Sequence, residues 1–199
     1  GLTSSTVREL SHALALANRE HIAIAAKTIR AMVWATGLLG FLLMLLGAKG
    51  LSKLSFNSYE YSESIAILSI SVLLSIVSSG QSSIIQGFRR IDLVARINVV
   101  AALLGAFASI LCFYFWNMNG IVLSLIATAG VNLSLTWMYS RKISIPDISS
   151  DWQKYRDQGK TLLVLGMPIM LSSLLTTGTN YFIRAFLSRE AGLEAVGQY

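Results

Sequence analysis

Charged side chains are missing from four long stretches of the chain: residues 31–48, 64–88, 97–140 and 161–183, of 18, 25, 44 and 23 residues. A helix needs about 20 mainly apolar residues to cross the hydrocarbon core of a bilayer. The 44-residue stretch is therefore two crossings. Its break is "NMNG", Asn117 to Gly120, which supplies turn residues in the middle. The pattern predicts five membrane helices, at about 31–48, 64–87, 97–116, 120–140 and 161–184. Lipid offers no partner for backbone N–H and C=O groups, so segments of this length must be helical. The expected fold class is an all-α membrane protein.

Composition agrees. Over 199 residues, 54% are hydrophobic and 13% charged, against roughly 25% charged in a soluble domain. The lone Cys112 excludes a disulfide framework within the chain. A net charge of +6 would suit nucleic acid, but the distribution of the basic residues argues for a membrane instead. Arg8, Arg19, Lys27 and Arg30 precede the first span; Arg89, Arg90 and Arg96 lie between the second and third; Arg141, Lys142, Lys154, Arg156 and Lys160 follow the fourth. The alternate segments hold only Lys49 and Lys53, none in "NMNG", and Arg184 and Arg189. Basic residues stay on the cytoplasmic side. Arg89, Arg90 and Arg96 thus anchor a tight cytoplasmic turn in "QGFRRIDLVARINVV", where Asp92 and Arg96 can pair at i, i+4 if helix resumes.

The flanking regions carry weaker signals. Thr6 and Glu9 read as a capping box in a cytoplasmic leader, and Leu10 and Leu14 share a face suited to the membrane surface. Ser150 and Gln153 repeat the capping pattern after Pro146, beside the interfacial pair Trp152 and Tyr155. "FYFW", Phe113 to Trp116, suits an aromatic belt at the outer end of the third span. Without an initiating Met, and stopping at "LEAVGQY", the chain is expected to be an internal piece of a longer membrane protein.

Chemistry must come from polar residues inside the spans. Ser71, Ser75, Ser78, Ser82 and Gln86 recur on one face of the second. Ser124, Thr128, Asn132 and Thr136 do so in the fourth; Ser173, Thr176, Asn180 and Arg184 do so in the fifth. One polar stripe on a membrane helix faces a water-filled cavity or a closely packed neighbour, since hydroxyl residues let helices approach. Both readings stand for each stripe. Arg184 likewise either meets an anion in a cavity, where its fork suits phosphate, or snorkels to water at the membrane boundary. Pro168 predicts a kink in the fifth span.

His12 and His21 lack metal spacing and read as solvated; Cys112 reads as core packing. No phosphate loop, metalloprotease helix or serine elbow occurs. All ten acidic residues fall outside the five spans, so an ion-coupling carboxylate finds no residue here. No cofactor or metal is expected, and the chain does not read as an enzyme.

The stretch "QGFRRIDLVARINVVAALLGA" resembles "QG-x-R-R-I-x-D-L-A-x-x-N-V" of bacterial O-antigen flippases and related polysaccharide biosynthesis membrane proteins. These belong to the multidrug/oligosaccharidyl-lipid/polysaccharide flippase superfamily. The matching positions are Gln86, Gly87, Arg89, Arg90, Ile91, Leu93, Ala95, Asn98 and Val99; Asp92 directly after Ile91 and Val94 before Ala95 depart from the pattern. "GLTSSTVREL", "NGIVLSLIATAGVNLSLTWMYSRK", "GMPIMLSSLL" and "EAVGQY" are similar to the family too, so the resemblance covers the whole chain.

The resemblance implies two bundles of six or more helices around a central cavity. Residues 1–30 would then be a cytoplasmic helix and loop, and 31–140 four helices completing the first lobe. Residues 141–160 would link the lobes, and 161–199 would hold the first helix of the second lobe and the start of the next. The implied substrate is an undecaprenyl-diphosphate-linked oligosaccharide crossing the bacterial inner membrane. Further partners would be membrane lipids and other polysaccharide-export proteins; nucleic acid is not expected. Cavity-lining candidates are Arg184, Asn180, Thr176, Ser173, Ser75, Ser78, Ser82, Asn132 and Thr128. Two rivals remain open: a multidrug or cation antiporter of the same superfamily, which would carry an intramembrane carboxylate, and a membrane glycan polymerase or ligase, which would carry a long catalytic outer loop.

Overall fold

The computed structural model describes residues 2–15, 19–56, 58–117, 120–143 and 152–190. The side chains of residues 2–4, 9, 15, 19–21, 54–56, 152–158, 161–163, 165 and 184–190 lie outside that description. Six helices account for nearly all of it: α1 (Leu2–Ala15), α2 (Arg19–Phe56), α3 (Ser62–Gly87), α4 (Ile91–Trp116), α5 (Gly120–Arg141) and α6 (Trp152–Glu190). No strand occurs among the described residues.

Among the described residues, four helices are long and apolar enough to cross a membrane: Ile22–Lys53 within α2, and the whole of α3, α4 and α5. They contain the first four predicted spans. The fifth predicted stretch lies within α6, which continues through Pro168. The chain is an all-α, multi-pass membrane protein. The first span does not begin at residue 31; α2 is one helix of 38 residues, roughly 57 Å long at 1.5 Å per residue. Its early part is buried at Ile22, Ala25, Ile29 and Val33, while Leu38, Leu39, Leu42, Leu43 and Leu46 are exposed. Leucines turned outward along the later part suit a lipid solvent.

α3 is the hub. It packs against α1, α2, α4 and α5; α4 packs on α5, and α6 packs on α1 and α2. The core joins Leu10, Ala13, Ile22, Ala25, Ile29, Val33, Val77 and Ile84 across α1, α2 and α3. Small residues permit these crossings. A Cβ at Gly80 would overlap the γ-methyls of Val33, and one at Gly87 would stand 2.6 Å from Leu10 Cδ2.

Three sequence expectations are corrected here. Thr6 does not cap a helix, because α1 starts four residues earlier and Thr6 is buried inside it. Leu10 does not lie on the membrane surface; it is fully buried over Gly87, and Ser11 Oγ donates to the Gly87 carbonyl at 3.3 Å. Helix does resume after the arginine turn, yet Asp92 and Arg96 form no ion pair; both are exposed. An exposed pair gains little Coulomb energy against the entropy of ordering two side chains. Asp92, like Glu63 on α3, instead sits in a helix's first turn, where a negative charge complements the dipole. The second capping pair, Ser150 and Gln153, falls outside the described side chains.

The arginine turn has a defined geometry. Arg90 N–H donates to the Ile85 carbonyl at 3.2 Å and Arg89 N–H to the Gln86 carbonyl at 2.8 Å. This is the Schellman pairing that closes a helix C-terminus, with Arg89 at the left-handed position, φ 58°. At the other end of α4, Phe113, Tyr114, Phe115 and Trp116 are all exposed, as an aromatic belt requires. His12 is exposed and Cys112 buried, as expected.

Candidate functional site

The polar stripes of α3 and α5 meet. Ser78 Oγ lies 3.1 Å from Thr136 Oγ1 and donates to Asn132 Oδ1 at 3.3 Å. Two turns further along α3, Gln86 Nε2 donates to Ser82 Oγ at 3.4 Å. Each stripe repeats every three or four residues, so one helix face carries the whole row. Part of that row is spent on packing: Ser78 and Thr136 are buried against each other.

The rest opens into a cleft of about 240 Å³, lined by Ser75, Ser78, Ser79, Ser82, Gln86, Asn98, Ala129 and Asn132. The cleft runs between α3, α4 and α5. No charged side chain lines it among the described residues. It presents hydroxyls and carboxamides, groups that both donate and accept. Ser75, Ser79 and Asn98 have no hydrogen-bond partner among the described residues. Such a lining suits a neutral, hydroxyl-rich ligand better than an ion.

A second groove of about 330 Å³ adjoins it, where Asn98 and Asn132 meet Ala101, Gly105, Ser109 and Thr128. Gly105 is buried there, and a Cβ on it would stand 3.3 Å from Thr128 Cγ2. Thr128 Oγ1 donates to the Leu125 carbonyl of its own helix. Ser75, Ser78, Ser82 and Asn132 thus share one cleft, with Thr128 beside it.

The third stripe does not join them. α6 packs on neither α3, α4 nor α5. Ser173, Thr176 and Asn180 are exposed, and the first two hydroxyls donate to carbonyls one turn back, at 2.8 and 2.9 Å. The Arg184 side chain lies outside the described residues. Arg89, Arg90 and Arg96 are exposed around the turn, with Arg89 three residues after Gln86.

Asn98 and Ser79 were missed by stripe counting. Asn98 sits on a helix without a polar stripe, so periodicity does not mark it; its place in the "RINV" motif is the one sequence signal. Ser79 extends the stripe sideways and also lines a cavity of about 260 Å³ with Thr6, Thr36, Ser75 and Ser83 on the α2 side of α3.

A family model described as polysaccharide biosynthesis protein matches residues 1–199. No curated protein matches the chain, and no solved structure does.

Proposed function

The chain belongs to the polysaccharide biosynthesis protein family, and from that premise we propose that it works in a flippase moving a lipid-linked oligosaccharide across the bacterial inner membrane. The observation that carries this reading is the neutral polar cleft within a bundle of membrane-spanning helices. A glycan crossing hydrocarbon must have its hydroxyls satisfied, because each polar group without a partner there costs several kcal/mol. Serine, asparagine and glutamine side chains replace its water. The role is transport; no bond of the substrate is made or broken.

On this reading α2 to α5 belong to one lobe of a two-lobe transporter, residues 141–160 link the lobes, and α6 opens the second. The exposed face of α6 that carries Ser173, Thr176 and Asn180, and in sequence register Arg184, then turns to the central cavity. Arg184 meets the diphosphate, whose charges need a basic partner away from water. Other polysaccharide-export proteins act before and after the transport step.

The test is reconstitution of the full-length protein in vesicles carrying a labelled lipid-linked oligosaccharide on both faces. Flipping should render nearly all of the glycan accessible to an external, membrane-impermeant lectin, against about half in protein-free vesicles. Asn98→Leu with Asn132→Leu should reduce the rate at least tenfold while the protein still incorporates. Accessibility equal to that of empty vesicles would overturn the reading; flipping unaffected by the double substitution would remove the cleft from it.

A further inference from the structure

Away from the residues that line the polar cleft, the charges of Arg30 and Arg141 lie near each other with no carboxylate beside them among the described residues. Arg30 of α2 is half-buried, and its Nη2 donates to Ser140 Oγ at 3.4 Å. Ser140 is fully buried and donates in turn to Gln81 Oε1 at 2.7 Å. That chain from α2 through α5 to α3 holds the Arg30 guanidinium in place. Arg30 Nε is buried with no hydrogen-bond partner among the described residues. The guanidinium of Arg141, next in sequence to Ser140, lies 5.1 Å over the Trp137 ring. Neither arginine is in an ion pair among the described residues.

Two like charges near each other repel, and an unsatisfied buried N–H adds a desolvation cost. An anion with several acceptor oxygens relieves both. Next to the pair, Trp34, Leu133, Ser134, Trp137 and Met138 line a groove of about 460 Å³ between α2 and α5. The two indoles stand edge to face, 6.4 Å apart. Basic heads beside an apolar, tryptophan-walled channel on a membrane-spanning bundle complement a molecule with a phosphate at one end and hydrocarbon at the other. The groove has one hydroxyl and none of the carboxamides that serve a glycan in the cleft.

We propose that Arg30 and Arg141 bind the phosphate of an anionic bilayer phospholipid whose acyl chain lies along Trp34 and Trp137. The lipid would add to the side-chain contacts that already join α2 and α5, the Arg30–Ser140 hydrogen bond and the Trp34–Trp137 pair. The inference rests on the membrane setting of these helices and not on the transport reading.

Tryptophan fluorescence tests it on the full-length protein, in nanodiscs containing brominated phosphatidylglycerol or brominated phosphatidylcholine. Replacing every tryptophan except Trp34 and Trp137 by Phe confines the signal to the groove. Brominated phosphatidylglycerol should quench at a several-fold lower mole fraction than the zwitterionic lipid. Each of Arg30→Gln and Arg141→Gln should reduce that preference about fivefold, the effect of one basic contact at an anionic surface. Arg→Lys variants should keep most of it. Equal quenching by the two lipids, already in the parent protein, would overturn the site without recourse to any arginine variant. Displacement of the brominated lipid by a stoichiometric polyprenyl diphosphate would overturn the assigned occupant and place the groove on a substrate path.

Discussion

Ser78 on α3 and Thr136 on α5 bring their hydroxyls to 3.1 Å, and Thr136 also donates to the Asn132 carbonyl of its own helix at 2.8 Å. One pair therefore locks two membrane helices and sets the wall on which Asn132 stands. Interhelical hydrogen bonds in membranes contribute about 0.6 kcal/mol on average. Ser78→Ala and Thr136→Val should each lower unfolding stability by about that amount, and the double variant by less than the sum. A loss of transport at unchanged stability would show that Ser78 serves the substrate and not the packing.

Gly80 and Val33 mark the closest approach of α2 and α3. Gly80→Ala should destabilise the protein by about 1–3 kcal/mol through overpacking. Adding Val33→Ala should recover most of that loss, because the methyl group then has space. Thermal unfolding in detergent measures both; an unrecovered double variant would place the strain elsewhere.

Arg89 occupies a left-handed backbone position where glycine carries no steric penalty. Arg89→Gly should raise stability by about 1 kcal/mol, the cost of that conformation for an L side chain. Arg89→Ala should bring no such gain. If Arg89 and Arg90 also orient the chain, replacing both by Ala should lower the amount correctly inserted more than the rate per inserted molecule.

Orientation has a direct test. Tyr59 and Lys142 are exposed at opposite ends of the bundle, after α2 and after α5. Twelve of the sixteen basic residues lie in the segments assigned to the cytoplasm. In intact cells Tyr59→Cys should react with a membrane-impermeant thiol reagent and Lys142→Cys should resist it. The reverse pattern would invert the topology.

Arg184 carries the diphosphate role within the transport proposal. Arg184→Ala should reduce flipping strongly while insertion persists. Arg184→Lys should restore it in part, since charge survives but the bidentate fork does not. Asn180→Ala, one turn away, should have a smaller effect. Wild-type export by both Arg184→Ala and Arg184→Gln would make it a boundary residue that snorkels to water.

Much of this protein was legible in one dimension. The membrane-crossing stretches within α2, α3, α4 and α5 followed from the lengths of uncharged runs, because a bilayer admits no other spanning structure for them. The turns after Gly87 and Trp116 followed from interruption by arginines and by "NMNG". The faces of α3 and α5 followed from the 3.6-residue period. These features depend on neighbours along the chain, or on a solvent that treats every segment alike.

The partner of each face did not follow. Periodicity says that Ser78 and Asn132 each lie on a polar stripe, not that the two stripes meet while the α6 stripe stands apart. Leu10 reads as a surface residue until Gly87 opens a seat for it on α3. Asn98, Ser79 and the chain from Arg30 through Ser140 to Gln81 have no period at all. In lipid, apolar surface gains little by turning inward, so helix pairing is decided by small residues and a few polar contacts through space. Those contacts join positions as far apart as Arg30 and Ser140, 110 residues along the chain. Only the tertiary structure brings them together.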